Sequence, residues 1–345
     1  MTYAGKMTIS RKAGSWPVSI NRLLTLGILA VMFVVFSAFA HNFFTVRNVL
    51  NLLVQTSTYT IVAIGAAFVM IVGGIDFSLS VVVMLSGHVV VWLAVAGVPI
   101  WLSMIVAASL GGITGFVNGF AVARLRIPSF LATMGTAMIA GGTLGVVAGY
   151  IHLTKIPESL GDLGNVPVFR IYSHDAVGAN TIVFPGISWI VIIMAFLALL
   201  FQFVATKTVI GRHAYLVGSN QEAARFSGIN VRRVKLAAFM LAGLLAGLVG
   251  VLLASRLVAT PGASGGYEII GMTCAMIGGA SLSGGTGSIG GTVIGSFLMS
   301  TLAMGLTMLN TSGPTVFLFF AALVVLVAVY LDQIRNSDSP YSRSK

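Results

Sequence analysis

The chain has 345 residues, 57% of them hydrophobic and only 8% charged, where soluble domains carry about a quarter. Apolar runs of about 20 residues recur along it, so it reads as an all-α, polytopic membrane protein and not as a soluble enzyme. The formal charge of +11 does not mark a nucleic-acid binder, because the basic residues are spread over short loops, as the positive-inside rule requires.

Residues 1–22 carry Lys6, Arg11, Lys12 and Arg22 and no acid, which places the N-terminal segment in the cytoplasm. The apolar run 23–40 is a first span that stays, because further spans follow it. Between residues 49 and 123 the only formally charged side chain is Asp76, and the run has room for spans at about 49–72, 79–97 and 100–123. Arg124 and Arg126 return the chain to the inner side, and Pro128 opens a fifth span reaching about Tyr150. The polar stretch 152–185 holds Glu158, Asp162 and Asp175, which suits the outer face. A sixth span, about 186–205, leads to the segment 206–235.

Six of the nineteen Lys and Arg lie between Lys207 and Lys235, against the single acid Glu222. Inside this cytoplasmic segment, Ser219 to Arg225 reads as a short helix. Ser219 or Asn220 caps it, Glu222 sits in its first turn and Gly228 ends it. Such a helix is either a contact for another protein or a solvated loop that only fixes topology. A seventh span follows at about 236–257, then an outer loop at 258–268. No Lys, Arg, Asp or Glu occurs from 269 to 331, leaving room for span eight, a Gly-rich break at 278–291, span nine, and span ten from about Pro314. The tail 333–345 is basic and cytoplasmic. Ten spans put the basic clusters inside and the acidic loop outside.

Two glycine-rich stretches, 73–80 (GGIDFSLS) and 278–291 (GGASLSGGTGSIGG), interrupt what should be continuous helices. Paired breaks in two halves point to a transport path, with Gly279 and Ser281 its candidates in the second. Asp76 costs about 2.5–3.5 kcal/mol at a helix centre, so it faces a cavity or a partner. It is either a pathway residue or a cap for the helix starting near Ser78 or Leu79, and Phe77 and Ser78 join it as candidates for the path or its gate. His88 is a packing histidine or, with Asp76, a proton relay. Asn118 lies on a small-residue face with Gly111, Gly112, Gly115 and Gly119, which reads first as helix packing and second as substrate contact. Thr133 and Thr136 could line a polar path, and the aromatics of spans one and ten face lipid. Cys274, the only cysteine, excludes an internal disulfide and a cysteine zinc site and reads as a packing residue. No catalytic residues and no metal ligands emerge. The chain holds no GxxxxGK[ST] or HExxH motif, so it has no ATP-hydrolysing site of its own.

Four stretches in order, 73–80, 118–136 (NGFAVARLRIPSFLATMGT), 208–235 (TVIGRHAYLVGSNQEAARFSGINVRRVK) and 278–295 (GGASLSGGTGSIGGTVIG), resemble the permease subunits of bacterial ABC importers. More narrowly, they look like the branch with ribose, xylose, arabinose, galactose and autoinducer-2 permeases. The resemblance implies one permease domain over 1–345 in the bacterial inner membrane, translocating a monosaccharide and working as a pair of permease copies. It implies a periplasmic sugar-binding protein and a separate cytoplasmic ATPase; ATP and Mg would bind that partner, and no cofactor this chain. By similarity, Gly211, Arg212, Gly218, Ser219, Asn220, Glu222, Ala223, Ala224, Arg225 and Gly228 would form the docking and coupling segment. The first motif commonly reads GGIDLSVG in that branch. Here Phe77 and Leu79-Ser80 depart from it, which implies a stiffer break. The rival from the residues alone is an ion-coupled secondary transporter using Asp76 and His88.

Overall fold

The computed structural model describes residues 18–149, 156–174, 180–259 and 266–309, together with 316, 319–323 and 326. Residues 1–17, the tail 333–345, most of the expected tenth span and positions 260–265 of the expected outer loop lie outside the described residues.

Five helices lie in the first half: α1 (Val18–Phe39), α2 (Val46–Ile71), α3 (Leu79–Val95), α4 (Ile100–Ala123) and α5 (Ser129–Ala148). After a 3-10 turn at Glu158–Gly161 come the single-turn α6 (Asp162–Asn165), α7 (Trp189–Lys207), α8 (Val209–Ser219) and α9 (Gln221–Phe226). The long α10 (Val231–Leu257), α11 (Tyr267–Ile277) and α12 (Ile289–Met308) complete the described helices. Among the described residues, α2, α4, α5, α7, α10 and α12 are long and apolar enough to cross a membrane. The apolar parts of α1, α3 and α11 are shorter. The protein is an all-α, polytopic membrane protein.

The helix ends follow from local chemistry. Thr45, Ser188, Thr208, Asn220, Asn230 and Ser288 each accept a backbone N–H from the first turn of α2, α7, α8, α9, α10 and α12, respectively, satisfying donors that helix geometry leaves orphaned. Pro99 and Pro128 precede α4 and α5, where a fixed φ and a missing N–H cost nothing.

The expected eighth span, set between 269 and the break at 278, is the half-length helix α11. α11 has 11 residues, about 16 Å of helix, roughly half the hydrocarbon thickness. Gly279, at φ +95°, ends it in a conformation that a residue with a Cβ rarely adopts. The described residues between 156 and 188 are also more structured than their composition suggests. Two antiparallel pairs join β1 (Pro167–Val168) to β4 (Ile187–Ser188) and β2 (Ile171–His174) to β3 (Asn180–Phe184). The first turns of this stretch are pinned to α10: Ser255 Oγ donates to the Leu160 carbonyl at 2.7 Å, and Asn165 Nδ2 donates to the Ser255 carbonyl at 3.2 Å.

α2, α12 and α10 form the interior and α5 and α7 the rim, since 89% of the apolar window of α2 is buried but only 11% of that of α5. Met138, Ile139 and Leu199 are exposed, as suits helices whose solvent is hydrocarbon. In lipid there is no hydrophobic drive between helices, so they associate through close packing. α10 meets α4 along glycines: a Cβ on Gly111 or Gly115 would overlap the carbonyl of Gly243 or Phe239, and one on Gly243 the carbonyl of Gly111. The packing reading of the 111–119 face is what the structure shows. Cys274 is fully buried and lies where Gly295 of α12 leaves room for its backbone. One expectation for the aromatics fails. Phe39 is exposed, but Phe36 is buried against Phe43 and Gly305 of α12, where the missing side chain leaves a slot for its ring.

Candidate functional site

The first break is a built structure. Gly73, at φ +76°, turns the chain out of α2, and residues 75–77 then cross to the start of α3 without helical bonds. Asp76 is 2% exposed. Its Oδ1 accepts the Ser78 N–H at 2.9 Å and the Ser78 hydroxyl at 2.6 Å. Ser78 Oγ in turn accepts from Asn118 Nδ2 at 2.9 Å. Three residues singled out separately in the sequence thus form one buried chain of hydrogen bonds between the break and α4. The start of α5 completes it: the Ile75 N–H donates to Ser129 Oγ and the Phe77 N–H to Thr133 Oγ1, both at 3.1 Å. Backbone groups that could not be left bare in a membrane are thereby satisfied by side chains.

Asp76 therefore acts locally as a turn-stabilising acceptor for Ser78. Its Oδ2, and Oδ1 of Asn118, are buried with no hydrogen-bond partner. His88 does not join it: the ring Nδ1–H donates to the Met84 carbonyl at 2.8 Å within α3, and the ten residues of helix from Leu79 to His88 span roughly 15 Å. Thr136 likewise bonds within its own helix, to the Ala132 carbonyl at 3.0 Å.

The second break folds back on the first. Ser281 is buried and accepts the Ser283 N–H at 3.2 Å, and the Gly285 N–H donates to the Ile71 carbonyl at 2.9 Å. Gly284 and Gly285 have φ of +87° and +75°, and neither could carry a side chain without meeting Gly73, Gly218 or Ser219.

The segment 206–235 provides the third wall. The expected short helix is there as α9, with Asn220 Oδ1 accepting the Ala223 N–H at 2.9 Å and Gly228 ending it at φ +80°. Before it stands α8, an 11-residue helix that the sequence reading did not resolve. Its far end carries Gly218, where a Cβ would overlap both the Ile71 carbonyl and the Gly285 N–H. Tyr215 Oη donates to the Gly287 carbonyl at 3.1 Å, and burial raises this hydroxyl above its ordinary value near 10, so it stays a donor. Gln202 Oε1 on α7 accepts the Gly290 N–H at 2.9 Å.

Gly218 therefore sits between the end of α2 and the second break, and Ser219 lies against the second break, whereas Arg212, Glu222, Ala223 and Arg225 are exposed, with Gly211 and Ala224 buried beneath. Sequence reasoning missed Tyr215, Gln202 and Ser129. A lone glutamine in the apolar run of α7 was a visible signal. Ser80, read as the loss of a hinge glycine, has another use: its Oγ accepts the Tyr267 N–H at 2.6 Å, tying α3 to the first residue of α11.

Residues 48–329 match the family described as "Branched-chain amino acid transport system / permease component". The chain belongs to this family. The permease is 33% identical to the ribose import permease protein RbsC of Escherichia coli (strain K12) over 88% of its own length and 91% of that protein's. It is equally identical to the Bacillus subtilis (strain 168) protein of the same name, over 90% and 92% of the two chains. The xylose transport system permease protein XylH of E. coli (strain K12) is 33% identical over 84% and 86%. No solved structure matches the permease. The four sequence motifs thus carried a true resemblance to ABC importer permeases.

Proposed function

We propose that the permease is the membrane-spanning subunit of a bacterial inner-membrane ABC importer for a monosaccharide, a pentose or hexose of the ribose class. The relatives that import ribose and xylose support the substrate class. The observation that carries the mechanism is the junction of Gly218, Gly285 and Ile71, where a candidate coupling segment meets the end of α2 and the second break. The permease does no covalent chemistry. ATP and Mg belong to a cytoplasmic ATPase partner, a periplasmic binding protein delivers the sugar, and two permease copies form the path. Ten spans, with 1–22, 206–235 and 333–345 inside and 152–185 outside, are the topology this arrangement needs.

In this reading α9 lodges in the ATPase. Phe226, 91% exposed at its end, and the exposed Leu216 on α8 supply the apolar anchors that protein interfaces favour. Closure of the ATPase presses on α8. The glycine contacts and the bond from Tyr215 to Gly287 pass that displacement to the two breaks, which gate the path at Asp76–Ser78–Asn118 and at Gly279–Ser281. Thr133 holds the first gate to α5.

The test is ATP hydrolysis by the reconstituted permease, ATPase and binding protein in lipid. Sugar-loaded binding protein should stimulate hydrolysis severalfold, and Asn220→Ala combined with Arg225→Glu should abolish the stimulation or release the ATPase. Uptake that follows a proton gradient at constant ATP would overturn this reading in favour of ion coupling.

A further inference from the structure

A cavity of about 910 Å³ opens beside the first break, between the end of α4, the start of α5, α9 and the start of α10. Its wall carries four cations, Arg126, Arg225, Arg232 and Lys235, and a single acid, Glu222. Among the described residues none of the four cations makes an ion pair or a side-chain hydrogen bond. Lys235 is partly buried, so its charge is held at some cost without a local counter-ion. The rest of the wall is largely apolar and includes Phe130 of α5, the helix most open to lipid. A cavity whose wall combines four cations with apolar side chains, one of them on a lipid-facing helix, matches an amphiphile with an anionic head. A neutral sugar would use their N–H donors but leave their charge uncompensated.

We propose that this cavity binds the phosphate headgroup of an anionic phospholipid, with Arg126, Arg232 and Lys235 around the phosphate and the acyl chains lying along α5. Basic pockets between spans on the cytoplasmic side are suited to such headgroups. That the site faces the inner leaflet rests on the topology proposed above; that it takes an anionic headgroup rests on the cavity alone. The lipid would brace the link from α4 to α5, whose Ser129 and Thr133 hold the first break.

The experiment is a thermal-shift titration of the full-length permease in neutral detergent, with dioctanoyl phosphatidylglycerol, dioctanoyl phosphatidylcholine and inorganic phosphate as probes. Phosphatidylglycerol should raise the melting temperature saturably, and the other two should not. Each cation removed should weaken binding about fivefold, so Arg126→Gln, Arg232→Gln and Lys235→Gln together should weaken it on the order of a hundredfold. Arg47→Gln, at the start of α2, should leave it unchanged. The triple Lys, Lys, Arg replacement at the same positions keeps the charge and should retain most of the binding, which separates lost binding from misfolding. Equal shifts with phosphatidylcholine, equal shifts with inorganic phosphate, or unchanged affinity in the triple Gln variant would each overturn the proposal. None of these outcomes depends on ATPase coupling, so the headgroup site and the importer reading fail separately.

Discussion

At the level of single residues, Asp76 shows how a carboxylate is kept in an apolar setting. One oxygen takes two bonds from Ser78, and the other has no hydrogen-bond partner. Asparagine retains the acceptor and replaces the idle oxygen with a donor that could serve the unpartnered Asn118 Oδ1. Asp76→Asn should therefore melt at or above the wild-type temperature in detergent. Asp76→Ala leaves the Ser78 N–H and hydroxyl unmatched and should cost about 1–3 kcal/mol, readable as a lower midpoint in chemical unfolding. Uptake by the Asn variant then separates the two roles the sequence left open. Transport at wild-type rate means a structural acceptor, and lost transport with intact stability means a residue of the path. Composition could show that Asp76 was isolated among apolar residues. It could not show that Ser78, Asn118 and Thr133 converge on the same turn, because their partners lie 40 and 56 positions apart along the chain.

At the level of elements, glycine does two jobs that look alike in sequence. In α4 and α10 it permits close crossing, and Gly115→Leu should fold poorly or lose more than about 3 kcal/mol, since a packed backbone cannot retreat from a large side chain. In the breaks it permits contact with α8. Gly218→Val would push α8 from Ile71 and Gly285, whereas Tyr215→Phe removes only one hydrogen bond, about 1 kcal/mol. If the junction transmits motion, Tyr215→Phe should lower sugar-stimulated hydrolysis far more than it lowers the melting temperature, while basal hydrolysis persists. Equal, small losses in both would make the tyrosine merely structural. Most helices were legible as apolar runs bounded by Pro, Gly or basic residues, to within a few positions. α8 was not, because Val209–Ser219 mixes charge and apolar residues and hides behind the polarity of its surroundings. The end of α11 was legible, because the Gly-rich break at 278–291 begins where the helix stops at Ile277.

For the whole molecule, the sequence yields the membrane class, because hydropathy acts along the chain. It does not yield which helices lie inside, because that depends on pairings between distant segments. α2 illustrates the consequence. It is among the first spans to be synthesised, yet its buried face finds its partners in α10, α11 and α12. Its Thr56 hydroxyl pairs with Ser300, 244 residues later, and Ser57, Thr58 and Thr60 on the same helix are buried. Until the second half emerges, Thr56 lacks Ser300 and the buried face of α2 lacks the helices that cover it. The half-made chain is thus a poorly assembled bundle, not a stable subdomain, and biogenesis must hold α2 in reserve. A chain truncated after residue 230 should insert but be cleared rapidly by membrane proteases, and co-expression of residues 231–345 as a separate chain should restore its lifetime in a pulse-chase experiment.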